Sequence, residues 1–187
     1  MSKRLFIAIP VRPEALLLSK RTFLLSNLQE EKINWVKEEN FHLTLKFIGK
    51  TQAKQIPEII KTLEHCALQT DAFSMQLNRI GIFGSAYHAR VVWAGISENE
   101  PLNKLHNRLV QDLERIGFPS DRQNFVPHFT LGRIKNIKHK DHFKNLMDKL
   151  EKDFIQETQV SAFVLYESIL TPEGPVYKAI KHFELNR

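Results

Sequence analysis

The sequence of 187 residues is poor in cysteine and has no metal-binding cysteine pattern. Its single cysteine, Cys66, cannot form an intramolecular disulfide, and no CxxC pair or Cys/His cluster indicates structural zinc. One unpaired thiol is typical of a reducing compartment. We therefore expect a cytoplasmic protein with no structural metal site.

Long apolar runs are absent as well. No stretch approaches the roughly 20 apolar residues that cross a membrane. An apolar run near the N-terminus follows basic residues, as in a signal peptide, but Pro10, Arg12 and Pro13 interrupt it early. These absences predict a soluble protein with no membrane partner.

The composition suits one globular domain with an anionic partner. Apolar residues make up 42% of the chain, enough to fill a core at this length. Lys and Arg total 27 against 21 Asp and Glu, a formal charge of +6, without any long basic run. This charge permits a nucleic-acid partner without indicating one. No Gly/Ser linker divides the chain, and nothing in it requires more than a monomer.

Strand-like and helix-like segments alternate along the chain. Runs rich in β-branched, aromatic and leucine residues predict seven strands, at 4–9, 41–48, 73–82, 89–96, 128–134, 160–165 and 176–185. Amphipathic patterns between them predict four helices, at 13–28, 53–67, 101–116 and 140–152. Pro13 and Pro101 fall in first helical turns, where proline is tolerated. The order predicts a mixed fold of helices and strands.

A shift of 86 residues relates the two halves of the sequence. The strand at Arg4 resembles the strand at Arg90 (90 − 4 = 86), and His42 stands the same distance before His128 (128 − 42 = 86). The shift also matches several identical residues: Ala8 with Ala94, Leu16 with Leu102, Thr44 with Thr130, Leu45 with Leu131, and Ile48 with Ile134. We therefore predict an internal duplication, with repeats at about 4–80 and 90–166. A pseudo-twofold axis between them would bring the two histidines face to face.

The first histidine strand, "FHLTLKFIG", alternates polar and apolar side chains. Because alternate residues of a strand share a face, His42, Thr44 and Lys46 are predicted to lie on one side. The apolar residues between them, including Phe47, are predicted to face the core. The polar side must then face water, a cleft or a partner.

The second histidine strand, "PHFTLGRI", repeats this pattern with one difficulty. His128, Thr130 and Gly132 share a face, and Gly132 permits another group to approach the backbone closely. Strict alternation places Arg133 on the apolar side. Arg133 therefore reaches a cleft only if the strand ends or bulges after Leu131.

Two histidines that face one another suit acid–base attack at phosphorus. One imidazole removes a proton from the nucleophile, while the other, protonated, gives a proton to the leaving oxygen. Thr44, Thr130 and a basic residue, Lys46 or Arg133, suit the non-bridging oxygens. This chemistry requires neither metal nor cofactor. A single histidine on a half-buried strand usually has a structural role. A second histidine at the equivalent position of the other repeat favours a catalytic site.

Four segments together resemble one known family. They are "FHLTLKFIG", "RVVWAGI", "PHFTLGRI" and "SILTPEGPVYKAIKHFEL". They look like the RNA 2′,3′-cyclic phosphodiesterases, also called 2′-5′ RNA ligases, of the two-histidine phosphoesterase superfamily. The resemblance implies one bilobal α+β domain over residues 1–187. In such a domain two antiparallel β-sheets flank a central cleft, with helices on the outside.

The resemblance also implies a reaction, the hydrolysis of RNA 2′,3′-cyclic phosphate ends to 2′-phosphate ends without metal or ATP. By analogy His42 is the proton donor to the departing O3′ and His128 is the proton acceptor from water, although pseudo-symmetry makes the two roles exchangeable. Thr44 and Thr130 match the paired hydroxyls. Lys46 and Arg133 match basic residues that follow the two motifs, and we expect both to bind substrate. No KxDG tetrapeptide is present, so any 2′-5′ ligation must be this chemistry run backwards, without ATP.

Two other functions remain open. A two-histidine phosphodiesterase of another branch would act on a small cyclic nucleotide or a 2′-5′ oligoadenylate, and RNA length would not matter to it. A non-catalytic RNA-end binding module would bind cyclic-phosphate ends in a salt-dependent way and release no product.

Overall fold

Strands and helices alternate in the computed structural model, which describes residues 2–85, 87–120, 124–150, 153–172 and 174–187. Within these residues the strands are β1 (Ser2–Pro10), β2 (Lys32–Trp35), β3 (His42–Gln52), β4 (Phe73–Phe83), β5 (Val91–Ile96), β6 (His128–Asn136), β7 (Gln156–Val160), β8 (Ala162–Thr171) and β9 (Gly174–Glu184). The α-helices are α1 (Ala15–Asn27), α2 (Ile56–Leu68), α3 (Glu100–Arg115) and α4 (Lys140–Lys149). Short 3₁₀ turns cover Glu38–Asn40 and Ala53–Gln55.

Helix α3 forms where the sequence has both a start signal and one apolar face. The side chain of Asn99 accepts a hydrogen bond of 2.9 Å from the backbone N–H of Leu102, which caps the first turn. Pro101 occupies that turn, where no backbone donor is needed. The fully buried residues recur at helical spacing: Leu102, Leu105, Leu109 and Leu113. This face packs on α2, β3 and β4.

The sequence predicted the four helices and most of the strands. Two strands were missed, β2 and β7. The first has four residues and the second, "QETQV", is largely polar, so neither carries a strong strand pattern. The strand predicted at 160–165 belongs to two strands, because β7 ends at its first residue, Val160, and β8 begins at Ala162. Positions 151 and 152 of the last predicted helix lie outside the described residues.

The strands form one curled antiparallel sheet rather than two separate sheets. Their order is β7-β4-β5-β6-β3-β1-β8-β9, with β2 also paired to β6. The predicted α+β class is confirmed, and the two expected sheets are the two halves of this order. The halves are joined between β3 and β6, where one residue pair, Leu43 with Phe129, carries the register.

The junction has the symmetry that the 86-residue shift predicts. Leu43 pairs with its own counterpart Phe129, since 129 − 43 = 86. The strands on either side follow equivalent orders, β3-β1-β8-β9 and β6-β5-β4-β7. Each half also contains strands from both sequence repeats, because β8 pairs with β1 and β4 pairs with β5. The origin of this arrangement in a duplication stays a prediction.

The 86-residue shift does not relate β1 to β5, the first strands of the two sequence repeats. Ala8 pairs with Thr44 in β1–β3, whereas Trp93 pairs with Thr130 in β5–β6. Trp93, not Ala94, therefore takes the structural place of Ala8. The identical residues Ala8 and Ala94 are therefore one position out of structural register. Because a shift of one residue reverses the face of a strand, their side chains lie on opposite faces of the sheet.

The core is continuous through the junction. Phe129 is fully buried, and its ring packs edge-on against that of Phe41 at 4.7 Å between centroids. Its neighbours in the same cluster include Leu43 and Leu131.

Among the described residues, no helix has the length and apolar character needed to cross a membrane.

We expect Phe129→Ala to lower the free energy of unfolding by about 3–5 kcal/mol, because the lost ring leaves a cavity where the two halves meet. Urea unfolding followed by circular dichroism measures this change. Phe154→Ala is the matched control, because Phe154 is 54% exposed and its loss should cost less than about 0.5 kcal/mol. Similar losses in both variants would contradict a core that continues through the junction.

Candidate active site

Each histidine strand contains a β-bulge directly after its HxT tripeptide. In β3, Ile7 of β1 pairs with Lys46 and Ala8 pairs with Thr44, which leaves Leu45 as the extra residue. In β6, Val92 pairs with Gly132 and Trp93 pairs with Thr130, which leaves Leu131 as the extra residue. A bulge shifts the alternation of side chains by one position. The two bulges are equivalent, since 131 − 45 = 86.

The bulges decide which residues after the motifs reach the cleft. Arg133 is exposed and lines the cleft beside His42. The sequence allowed this position only if the strand ended or bulged after Leu131, and the bulge is present at Leu131. The equivalent residue in the first half is Phe47 (133 − 47 = 86), which is 58% exposed. The prediction that Phe47 faces the core is therefore wrong. The cleft has a cation at one of these two positions and an aromatic ring at the other.

Lys46 and Gly132 occupy the opposite, buried face of their strands. Lys46 is 2% exposed, and its Nζ donates a hydrogen bond of 2.8 Å to the carbonyl of Pro119. The prediction that Lys46 shares a face with His42 and Thr44 is wrong, because strict alternation ignores the bulge. A substrate-binding role for Lys46 stays a prediction.

Gly132 is also buried, and it leaves room for β2. A Cβ atom at this position would lie 2.8 Å from Cγ2 of Ile33 and 2.9 Å from Cε3 of Trp35. The close approach expected at Gly132 is therefore made by side chains of β2. The prediction that it shares a face with His128 and Thr130 is wrong for the same reason as for Lys46.

Each histidine lies opposite the threonine of the other motif. The register of the single antiparallel pair Leu43–Phe129 directs His42 towards Thr130 and Thr44 towards His128, since each pair of numbers sums to 172. The cleft cavities agree, because His42 and Thr130 line one of them and His128 and Thr44 line another. The structure thus brings together the four residues that the sequence singled out.

Both imidazoles are held by the same backbone contact. Nδ1 of His42 lies 2.7 Å from the carbonyl oxygen of Asn40, and Nδ1 of His128 lies 2.8 Å from that of Val126. A carbonyl oxygen only accepts hydrogen bonds, so each Nδ1 must carry the proton and donate it. Nε2 is then the nitrogen available for proton exchange with a ligand.

Aromatic rings fix the imidazole planes. The ring of His42 packs edge-on against Tyr177 of β9, with centroids 5.2 Å apart, and packs on Phe6 at the same distance. The ring of His128 packs edge-on against Phe83 at 4.7 Å. These contacts leave few rotamers to either side chain, which is a requirement of a positioned acid or base.

Burial and positive charge lower the pKa of both histidines below the ordinary value of about 6.5. For His42 the largest cause is desolvation, opposed by the bond to Asn40, and the charges of Arg133 and His128 lower its pKa further. The pKa of His128 is lowered by desolvation and by Arg133. Both imidazoles are therefore mainly neutral at pH 7 when the cleft holds no anion.

The largest cavity at the site lies between the residues that follow β2 and the hairpin of β8 and β9. It has a volume of about 780 Å³. Trp35, His42, Thr130, Arg133 and Tyr177 are among its lining residues. A second cavity of about 430 Å³ adjoins His128 and Thr44 on the other side. Together they provide space on both sides of the histidine pair.

No metal site accompanies these groups in the part of the chain that the structure describes. No three His, Cys, Asp or Glu side chains converge there as metal ligands would. The expectation of metal-free chemistry stays a prediction, to be tested with a chelator.

The matching family model decides the family. The model described as the 2′-5′ RNA ligase superfamily matches residues 25–170, well over half of the chain. The chain belongs to this superfamily. Curated relatives cover nearly all of its length. It is 35% identical to the RNA 2′,3′-cyclic phosphodiesterase of Thermotoga maritima over 95% of this chain and 92% of that one. It is 32% identical to the protein of the same name from Methanocaldococcus jannaschii, over 96% and 99%.

Solved structures of other proteins share the fold. A crystal structure of Escherichia coli LigT with 3′-AMP superposes with a TM-score of 0.79 at 22% identity, covering both chains completely. A Thermus thermophilus protein superposes with a TM-score of 0.80 at 24% identity, covering 97% of each chain. At these identities the likeness supports the α+β fold.

The sequence did not single out several residues that line the cleft of this superfamily member. Arg4, Phe6 and Phe47 line a cavity beside His42, and Tyr177 packs on the imidazole itself. Alternation along β1 would have placed Arg4 and Phe6 on one face. No local signal connects Tyr177 to His42, which lies 135 residues earlier (177 − 42 = 135).

We expect Arg133→Gln to raise the pKa of both histidines towards the ordinary value, because the guanidinium charge that disfavours both imidazolium ions is removed. Burial remains, so the recovery should be incomplete. NMR titration of the imidazole resonances measures the midpoints. Arg90→Gln removes the same charge from an exposed position that does not line the cleft cavities. Equal titration shifts in both variants would contradict a local effect of Arg133.

Proposed function

We propose that this protein is an enzyme that hydrolyses the 2′,3′-cyclic phosphate end of RNA to a 2′-phosphate end, using His42 and His128 as its acid–base pair. The observation that carries the proposal is the matched geometry of the pair. Each imidazole is anchored through Nδ1 to a backbone carbonyl and lies opposite the threonine of the other motif. Relatives named RNA 2′,3′-cyclic phosphodiesterase, at 32–35% identity over nearly the full chain, support the reaction.

The proposed reaction is an in-line displacement at phosphorus. Water attacks the cyclic phosphate and gives one proton to the neutral imidazole of His128. The bond from phosphorus to O3′ breaks, and the imidazolium of His42 protonates the departing oxygen. The product carries a 2′-phosphate and a free 3′-hydroxyl. Exchange with solvent then returns the two histidines to their starting protonation.

Thr44, Thr130 and Arg133 are proposed to hold the non-bridging oxygens. Neither threonine hydroxyl has a hydrogen-bond partner among the described residues, and each opposes a catalytic imidazole. The guanidinium of Arg133 lines the largest cavity and has no hydrogen bond or ion pair within the same residues, so it is available to an anionic ligand. Donors positioned at developing negative charge typically contribute about 100-fold to 1,000-fold in rate. Lys46 donates a hydrogen bond to the carbonyl of Pro119 and lines the cavity beside Thr44 and His128, and its substrate-binding role stays a prediction.

The two imidazolium charges disfavour each other, because the charge of His128 is among the causes that lower the pKa of His42. The charge of Arg133 lowers the pKa of both histidines. A bound phosphate would offset these positive charges and favour the imidazolium that protonates O3′. The assignment of His42 as donor and His128 as acceptor stays a prediction.

The cellular setting follows from the proposed reaction and the composition. A protein with one buried cysteine and a net charge of +6 suits RNA ends in the cytoplasm, and we propose that it acts there in RNA processing as a monomer. Gel filtration with light scattering tests the monomer, and imaging of a tagged protein tests the compartment.

We expect a short RNA with a 2′,3′-cyclic phosphate end to be converted to the 2′-phosphate in excess EDTA and without ATP. His42→Ala and His128→Ala should each lower the rate by about 100-fold to 10,000-fold, because each removes a positioned acid or base. Products are resolved as 2′-phosphate, 3′-phosphate and cyclic phosphate by chromatography.

His182→Ala is the control, since His182 is an exposed residue of β9 and should retain the full rate. Unchanged rates in the two cleft variants would refute the two-histidine mechanism. Turnover of cyclic mononucleotides without any turnover of RNA would favour a small-nucleotide phosphodiesterase. Binding of the RNA end without product would favour a binding module.

We expect the pH profile of kcat/KM to be bell-shaped with its maximum below about pH 6.5, because it reports the free enzyme, in which both histidine pKa values are lowered. As pH rises through the higher pKa, the donor loses its proton and the rate falls. The anionic substrate stabilises the imidazolium, so the alkaline limb of kcat should lie at higher pH. Initial rates measured across the acidic and neutral range provide both profiles. A kcat/KM that continues to rise above about pH 7 would contradict lowered pKa values.

A further inference from the structure

A third cavity opens beside His42, on the side of β1. Its volume is about 360 Å³. Arg4 and Arg133 supply its positive charge, and Phe6, Phe47 and Tyr177 form aromatic walls. It shares His42, Arg133 and Tyr177 with the largest cavity, so the two are continuous at the catalytic histidine.

The two guanidinium groups have no anionic partner among the described residues. Neither the guanidinium of Arg4 nor that of Arg133 makes a hydrogen bond or ion pair with any residue that the structure describes. Glu167 of β8, which pairs with the lining residue Leu5, is bound to Lys3 at 2.6 Å. Two like charges around one small cavity repel each other, and an anionic ligand relieves that repulsion. Both charges also act on the phenol of Tyr177, where they oppose the rise in pKa caused by burial.

The aromatic walls suit a nucleoside. Phe47 is 58% exposed, and the ring of Phe6 has its centroid 6.2 Å away. A base that stacks on an exposed ring gains both burial and ring contact. The cavity therefore combines a surface for a base with the Arg4 guanidinium as donor for a phosphate, while Arg133, which lines both cavities, remains at the cyclic phosphate.

We propose that the cavity formed by Arg4, Phe6, Phe47, Arg133 and Tyr177 binds the phosphodiester on the 5′ side of the nucleotide that carries the cyclic phosphate. This inference rests on the proposed function, because the cyclic phosphate must sit at the two histidines. The terminal nucleoside then occupies the largest cavity, and the next phosphate lies against Arg4. This position distinguishes an RNA end from a free cyclic mononucleotide.

Three substrates separate the contribution of the 5′-phosphate from that of base stacking. They are a nucleoside 2′,3′-cyclic phosphate, the same compound with a 5′-phosphate, and a dinucleotide with a 2′,3′-cyclic end. We expect the 5′-phosphate to raise kcat/KM by about 10-fold, the usual contribution of hydrogen bonds between charged groups. The dinucleotide should retain that gain and add base stacking. The measured quantity is the ratio of kcat/KM between substrates on one protein sample, so partial misfolding of a variant cancels.

Arg4→Gln should reduce this ratio to near one, and Arg4→Lys should restore part of it. Arg90→Gln is the matched control, since it removes the same charge from an exposed position outside the cleft cavities and should retain the full ratio. Failure of the wild-type protein to prefer the 5′-phosphate would overturn the inference. So would an Arg4→Gln variant that retains the preference, or a gain that appears only with the dinucleotide. Absence of turnover on all three substrates would instead overturn the proposed function.

Discussion

Each histidine strand carries one extra residue directly after its HxT tripeptide, and the composition of the cleft depends on that bulge. Without the extra residues Leu45 and Leu131, Lys46 and Gly132 would point into the cleft, and Phe47 and Arg133 would be buried. The two bulges reverse the orientation of all four side-chain positions. They bury a lysine whose amine donates a hydrogen bond to the Pro119 carbonyl, and they bring an arginine to the cleft that holds the two imidazoles. Bulges are common beside active sites because they redirect one side chain without ending the strand.

The symmetry of the two halves accounts for the histidines but not for their surroundings. The shared backbone gives each imidazole the same carbonyl partner two residues upstream and the same opposing threonine. The neighbouring positions then differ, with Arg133 in one half and Phe47 in the other. Tyr177 and Phe6 pack on His42, whereas Phe83 packs on His128. Acid–base catalysis needs one protonated and one neutral imidazole, so a symmetric scaffold must acquire unequal environments before it can assign the two roles.

The sequence was sufficient for the parts of the fold and site that follow from local patterns. The helices, most strands, and the grouping of His42, Thr44, His128 and Thr130 follow from periodicity and from the repeated motif. It was insufficient where register decides the outcome. Strict alternation placed Lys46 and Phe47 on the wrong faces, because a bulge leaves no local signature in "TLKF". An identity between Ala8 and Ala94 suggested equivalence where the sheet register differs by one residue. Tyr177 reaches His42 only through the pairing of β9 with β8 and of β8 with β1, which no local pattern encodes.

Charge in the cleft is balanced only when an anion is present. The free cleft contains two arginines that form no ion pair within the described part of the chain, and two imidazoles that burial and positive charge keep mainly neutral. A phosphate entering this site compensates the arginine charge and lowers the free energy of the imidazolium form at the same time. In the proposed mechanism, substrate binding therefore favours uptake of the proton that the leaving O3′ requires. The acid is then generated mainly in the complex, so the burial that keeps the free histidines deprotonated also makes their protonation depend on the presence of substrate.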